Sequence, residues 1–368
     1  MEVASTPAVG VEHRRSRALD VLRGLTIAWL VVVVFTPTTG WRGHAAWYGW
    51  DHSDVFFPAF LFVAGAGLAH QTREKPMPWL RLVKRFVTLV VLGLLVNAWL
   101  GAGADLGELR VPGVLQRIAV VGLGGAVVAW ACRRRWDATL AVAALLAVGW
   151  SLLLAGAGAD CPDGRPQRDP ACGTFLDVDV ALFGEGHVYH DGAQGHDPEG
   201  TMSTLGALAT FLAGYSATRL LARHETITGR LAACLALAAA WGLLALPLLA
   251  LQPLSKRLWT GSFVAVNAAG CLVVLALLVA VFDSNRSTVS RVVAWPIEAF
   301  GRNALVLWTG LFFVEGALQR TVVAGDPPLR LSAWFVEQHG AGTYFLVFAG
   351  GFLLVASAMH AVKWYVRL

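Results

Sequence analysis

Between Gly40 and Gly65 the chain reads GWRGHAAWYGWDHSDVFFPAFLFVAG, which sets two imidazoles, His44 and His52, beside two carboxylates, Asp51 and Asp54. Trp41, Trp47, Tyr48 and Trp50 surround them. An unperturbed imidazole changes charge near neutral pH, so a His with carboxylates beside it is a candidate for proton chemistry. The same residues have a plain reading: Trp and Tyr gather at membrane surfaces, and a loop His is often only solvated. Gln116 and Arg117 form a second candidate, because a guanidinium entering an apolar run is costly unless it faces a partner or a polar cavity. A third group, His187, Tyr189, Asp197 and Glu199, stands just before another apolar run. There Asp197, Pro198, Glu199 and Gly200 also read as a turn that starts a helix, with acids near its positive end.

The elements that must hold these groups are membrane helices. The chain has 368 residues, 56% hydrophobic and only 14% charged, with a mean hydropathy of +0.59. That is more apolar surface than a soluble core hides. A bilayer core of roughly 30 Å needs about 20 apolar residues per helix. Such stretches fall at about ten places: 24–40, 54–71, 82–101, 113–131, 138–156, 201–222, 231–251, 260–282, 302–323 and 341–362. The expected fold is all-α and polytopic, one transmembrane domain over 24–368 after a short polar tail, 1–23. Glycines such as Gly122, Gly124 and Gly125 read as close helix packing rather than a nucleotide loop.

Charge orients the spans. Most of the Lys and Arg, including Arg14, Arg73, Arg81, Lys84, Arg85, Arg134, Arg219 and Arg291, fall on alternate connections. The other face takes most of the acids, so both termini are expected in the cytoplasm of a multi-pass plasma-membrane protein. The net charge of +5 then answers to lipid headgroups and gives no reason to expect nucleic acid. The long connection 157–200 becomes an external cap, where Cys161 and Cys172 are placed to form a disulfide. Cys132, Cys234 and Cys271 read as packing residues. The His residues of the cap lack metal-ligand spacing, so no metal is expected.

Five segments in order carry a resemblance: RALDVLRGLTIAW (17–29), HAAWYGWDHSDVFFPAFLFVAG (44–65), RVPGVLQRI (110–118), FGEGHVYHDGAQGHDPEGTMSTLGALATFLAG (183–214) and PLSKRLW (253–259). Together they resemble the heparan-α-glucosaminide N-acetyltransferase family, in its shorter, bacterial-type form without the luminal N-terminal domain. The resemblance implies transfer of an acetyl group from cytosolic acetyl-CoA to the amino group of a terminal glucosamine, or a similar amino sugar, across the membrane. It maps the essential His onto His44 and implies a homodimer. Many relatives carry an Asn where this chain has Phe35, Thr36, Pro37, Thr38. Thr36 or Thr38 then substitutes, or the substrate differs. Asn303 is carried over as a substrate-binding residue from a looser match.

On that resemblance, His44 is a general base in a ternary complex or an acyl-imidazole carrier. The first needs no unstable intermediate to wait for an acceptor. Asp54 orients His44, holds the acceptor ammonium, or simply caps its helix. Gln116 and Arg117 stabilise the thioester oxyanion or a donor phosphate-side group. His187, Tyr189, Asp197 and Glu199 suit a cationic sugar. Arg23 and the cluster Arg81, Lys84 and Arg85 suit the donor's phosphates. Two other readings stand beside this one. An O-acyltransferase of a cell-envelope glycan would use the same base and donor. A transporter or flippase would use Asn97, Asn267, Glu298, Arg302 and Glu315 as a polar route. Glu298 and Arg302, four apart, also read as a pair on one helix face.

Overall fold

The computed structural model describes residues 16–36, 43–45, 47–101, 105–156, 174–189, 197–284, 288–325 and 327–366. Cys161, Cys172, His190 and His196 lie outside these residues, and with them the expected disulfide. Thirteen α-helices are present among the described residues. They are α1 (Arg17–Phe35), α2 (Phe56–Gln71), α3 (Trp79–Leu100), α4 (Val114–Ala131), α5 (Trp136–Gly156), α6 (Thr174–Phe183), α7 (Thr204–Leu221), α8 (Ile227–Leu251), α9 (Gly261–Leu278), α10 (Thr288–Arg302), α11 (Ala304–Arg320), α12 (Leu331–His339) and α13 (Ala341–Ala361). A two-stranded antiparallel ribbon, β1 (Val322–Val323) with β2 (Leu329–Arg330), joins α11 to α12.

The protein is an all-α, polytopic membrane protein. Each expected span coincides with a helix. Seven of these are long and apolar enough to cross a bilayer, or eight if α10 and α11, bent by 71° at Asn303, form one broken span. Neither α3 nor α7 is among the seven. Arg81, Lys84 and Arg85 crowd the first turns of α3. The sequence of α7 is diluted by Gly206, Thr210, Gly214, Ser216 and Thr218, and it is buried among its neighbours, so it needs little lipophilic surface. Lipid contact falls instead on stripes such as Val83, Val87, Val91 and Leu95, four apart on the outer side of α3. The first helix begins at Arg17, ahead of its apolar run, because Ala18 N–H and the Ser16 hydroxyl both donate to Asp283.

Small residues set the central packing. A Cβ on Gly65 of α2 would lie 1.9 Å from the Phe211 carbonyl oxygen of α7, and one on Gly214 of α7 would lie 1.9 Å from that of Phe62 on α2. The two backbones touch reciprocally, as membrane helices with no water to exclude must do to gain dispersion energy. Gly24 of α1 meets Ile297 of α10 in the same way. Of the glycines read as packing residues on α4, Gly125 abuts the Phe211 ring, whereas Gly122 and Gly124 face open space. Glu298 and Arg302 do not pair with each other. Glu298 bonds Arg17 at 3.0 Å and Arg302 lies 3.7 Å from Asp20, so both clasp α10 onto α1.

The two ends of the bundle differ in charge. At one end Arg134 and Arg219 donate to the Thr72 carbonyl at the close of α2, where the helix leaves its last carbonyls unpaired. At the other end stand the loop after α1, the loop 105–113, the turn 197–200 and the loop 252–260, and these four carry the candidate chemistry.

Candidate active site

His44 owes its position to the turn that starts α2. Asp51 and Asp54 form a capping box over the 3-10 turn His52–Asp54, in which Asp51 accepts from Ser53 N–H and Asp54 Oδ2 accepts from Asp51 N–H at 3.0 Å. That box fixes a fully buried carboxylate. Its Oδ1 stands 2.6 Å from His44 Nδ1, and Oδ2 also accepts from Ala45 N–H at 3.3 Å. Ser53 Oγ lies 3.0 Å from the same nitrogen and donates to the Gly43 carbonyl. On the ring's other side, Lys256 Nζ is 3.0 Å from Nε2. An ammonium can only donate, so Nε2 must be the accepting nitrogen and Nδ1 carries the proton bound to Asp54. The imidazole is thus held in one tautomer with its lone pair pointing away from Asp54.

His44 lines a cavity of about 420 Å³. The polar part of its wall is Thr26, His44, Ser53, Arg110, Tyr189, Glu199, Lys256 and Glu315, and the apolar part comes from α1, α2, α4 and α11, including Ile27, Phe57, Ile118 and Trp308. Arg110 organises one side. Its guanidinium donates to Asp197 through Nε at 3.0 Å and Nη2 at 2.5 Å, reaches Glu199 at 2.7 Å, and lies 4.7 Å over the Tyr189 ring. Burial alone would raise the Glu199 carboxyl. The charges of Arg110, Arg117 and Lys256 outweigh it and bring it down to about 2. Burial likewise works against the Arg110 charge, but Glu199 and Asp197 raise that group above its ordinary value. For Lys256 burial dominates and lowers the ammonium, against the pull of Glu199 and Asp54.

The structure brings together His44, Asp54, Tyr189, Glu199 and Glu315 of the residues singled out in the sequence. The others stand apart from the cavity wall. Arg117 is buried behind it, donating to the Gly200 carbonyl and Ser203 Oγ with its guanidinium 5.1 Å over Trp259. Gln116 packs into the hollow left by Gly93 and Gly113. Asp197 is fully buried beneath Arg110, and accepts from Tyr189 N–H at 3.1 Å. His187 is a strap: its Nδ1 bonds the Leu109 carbonyl, and its own carbonyl accepts from Val111 N–H. Asn303 stands at the α10–α11 break, bonded to the Trp364 carbonyl and Val366 N–H of the C-terminal segment. Asn97 and Asn267 donate to backbone carbonyls. Thr36 donates to Val32 O, and Thr38 is not among the described residues. No group of three or more His, Cys, Asp or Glu suited to a metal occurs among the described residues.

Arg81, Lys84 and Arg85 line a groove of about 650 Å³ at the start of α3. Arg85 also lines a narrow cleft of about 30 Å³ whose wall includes Ile118, a residue of the His44 cavity wall as well. Arg23 lies apart from that groove, against Gly67 of α2. Two cations of the site were not anticipated, Lys256 and Arg110. Both belong to quoted segments, PLSKRLW and RVPGVLQRI, but a basic residue in a loop has no periodicity to mark it.

Residues 15–160 match the family model described as heparan-alpha-glucosaminide N-acetyltransferase, catalytic. That segment includes His44, Asp54, Arg110 and Arg117. Heparan-alpha-glucosaminide N-acetyltransferase of Mus musculus is 23% identical over 355 residues, covering 80% of this chain and 53% of the mouse protein. The Homo sapiens protein of the same name is 24% identical over 358 residues, covering 80% of this chain and 52% of its own length. The chain therefore spans about half the length of the curated relatives it matches.

Proposed function

We propose, from its relationship to the heparan-α-glucosaminide N-acetyltransferases, that this chain moves an acetyl group from cytosolic acetyl-CoA to the amine of a glucosamine or similar amino sugar on the far side of a membrane. The observation that carries the reading is the His44 dyad: a buried Asp54 holds Nδ1–H at 2.6 Å and leaves Nε2 to accept a proton at a cavity. Thioester aminolysis needs that acceptor. The attacking amine must lose a proton as the new C–N bond forms, and the departing thiolate must gain one. A fixed tautomer lets one nitrogen do both, with Asp54 stabilising the imidazolium between the two steps.

On this reading each substrate has its own side. The basic end of the bundle is the cytosolic end by the positive-inside rule, and Arg81, Lys84 and Arg85 in their groove suit the nucleotide phosphates of the donor. The cleft between Arg85 and Ile118 supports a path for the pantetheine arm towards His44, closed in this state and opening to admit it. Tyr189 and Glu199 suit the sugar's ring and hydroxyls at the opposite end. Asp197 and Glu199 already share Arg110, so they are less suited to an acceptor ammonium than their residue types imply. Direct transfer in a ternary complex is preferred to an acyl-imidazole because it needs no unstable intermediate to wait for an acceptor. The natural setting of the reading is a cell membrane, with the protein as a multi-pass homodimer.

The test uses purified protein in detergent, labelled acetyl-CoA, and either glucosamine or a sugar bearing only hydroxyls. Labelled N-acetyl product is expected with glucosamine and is lost in His44→Ala. Equal transfer by wild type and His44→Ala removes the site assignment. Transfer to the hydroxyl sugar alone makes the protein an O-acyltransferase.

A further inference from the structure

Lys256 is placed beside the reacting centre by a loop built to hold it still. The chain leaves α8 at Leu251 and re-enters the bundle at α9 through a turn in which Ser255 N–H and Phe263 N–H both donate to Thr260 Oγ1. Thr260 N–H donates back to the Ser255 carbonyl. Trp259 within that turn is fully buried at φ +49°, a left-handed conformation rare for a bulky side chain, and its Nε1 donates to Thr210. Gly49 N–H donates to the Leu254 carbonyl at 2.8 Å, which fastens this turn to the His44 loop. The two loops are joined by that backbone bond, and their functional side chains meet at 3.0 Å.

Resting on the acetyltransferase reading, we propose that Lys256 is the oxyanion-stabilising residue of the site, donating to the thioester carbonyl oxygen while His44 takes the proton of the attacking amine. Both groups line the same cavity, and a carbonyl carbon within reach of an amine at Nε2 presents its oxygen to an ammonium 3 Å away. Arg110, the other cation on that wall, is committed to two carboxylates, and Gln116 and Arg117 are off it. An ammonium has three donors, so one that caps Nε2 in the empty site can turn to the substrate oxygen when the donor arrives. The acceptor's lone pair forms the C–N bond and the carbonyl pair moves onto the oxygen facing Lys256. The N–H proton passes to Nε2. On collapse the C=O bond re-forms, the C–S bond breaks, and the thiolate takes the proton from His44. Amide and free thiol result, with no co-reactant.

The experiment compares wild type with Lys256→Met, Lys256→Leu and Lys256→Arg, using acetyl-CoA and its dithioester analogue, whose carbonyl oxygen is replaced by sulfur. Removing one oxyanion donor costs about 10²–10³ in kcat. Lys256→Met is therefore expected to lose about 100-fold or more in kcat at saturating acetyl-CoA, with acetyl-CoA affinity within about threefold. Lys256→Arg is expected to regain at least tenfold of that loss. Sulfur is a weak acceptor, so the wild-type preference for the oxygen substrate should shrink by about tenfold in Lys256→Met and Lys256→Leu, neither of which can donate. An unchanged preference overturns the assignment even where kcat falls, as does a loss confined to acetyl-CoA affinity. If Lys256→Met does not fold, Lys256→Leu carries the same comparison. A wild type that transfers no acetyl group from acetyl-CoA instead overturns the acetyltransferase reading itself.

Discussion

Replacing Asp54 by Asn keeps the volume and removes the charge, and the geometry says how much that should cost. Oδ2 accepts from the Ala45 and Asp51 N–H groups at 3.3 and 3.0 Å, while Oδ1 faces His44 Nδ1 at 2.6 Å. An Asn that keeps its oxygen on the two backbone donors turns its NH2 towards Nδ1. His44 must then shed the Nδ1 proton and carry it on Nε2, where no lone pair remains for the amine. Restoring the productive tautomer requires the amide to flip, which sets its NH2 against two backbone N–H groups. Each buried donor left without an acceptor costs about 1–3 kcal/mol, so the flip costs about 2–6 kcal/mol. That corresponds to a fall in kcat of roughly 30-fold to 10⁴-fold. Steady-state acetyl transfer to glucosamine at saturating acetyl-CoA, in nanodiscs, measures it. Binding of the donor should change little, and His44→Ala/Asp54→Asn should be no slower than His44→Ala alone. A kcat within threefold of wild type, from folded protein, would refute the tautomer-locking role.

Three further expectations rest on other parts of the structure. Arg110→Ala leaves Asp197 and Glu199 buried without their shared cation, so it should destabilise the fold by about 3–5 kcal/mol in thermal unfolding. The cations around Glu199 hold it at about 2, below the ordinary 4.5 of a Glu carboxyl, so its contribution is complete above about pH 4.5 and vanishes as pH falls through 2. Wild type should therefore lose stability across that interval more steeply than Arg110→Ala. Gly65→Val forces a side chain into the Phe211 backbone and should cost at least about 1–3 kcal/mol, whereas Gly122→Ala, facing open space, should shift the unfolding temperature by little. Neutralising Arg81, Lys84 and Arg85 to Gln should raise the KM for acetyl-CoA tenfold or more and leave the KM for glucosamine unchanged, measured with each substrate varied in turn.

What could be read from the sequence followed from periodicity and motif, and what could not followed from their absence. Apolar runs located each helix core, because a bilayer demands about 20 such residues whatever the tertiary packing. Helix ends were less legible: α1 starts at Arg17 because Asp283, far along the chain, caps it. The amphipathic α10 and the short α6 lacked a long apolar run and were not foreseen. His44 and Asp54 stood out because they are ten residues apart in one dense motif. Lys256 reaches His44 across 212 positions, a distance that no local spacing encodes. Arg117 was legible as an anomaly, a charge inside an apolar run, but its partners, Gly200 and Ser203, decide that it supports the turn beneath Arg110 rather than facing the cavity. The partners of Asn303 were likewise beyond local spacing, since its side chain bonds the backbone of the C-terminal segment.

Sidedness gives the most direct experiment. Protein is reconstituted into vesicles sorted so that the end bearing Arg81, Lys84 and Arg85 faces outward, with glucosamine sealed inside and labelled acetyl-CoA added outside. Labelled N-acetylglucosamine should accumulate inside the vesicles, and His44→Ala vesicles should make none. Product that forms only when amine and acetyl-CoA share one side of the membrane, or equally with and without His44, would contradict transmembrane transfer through this site.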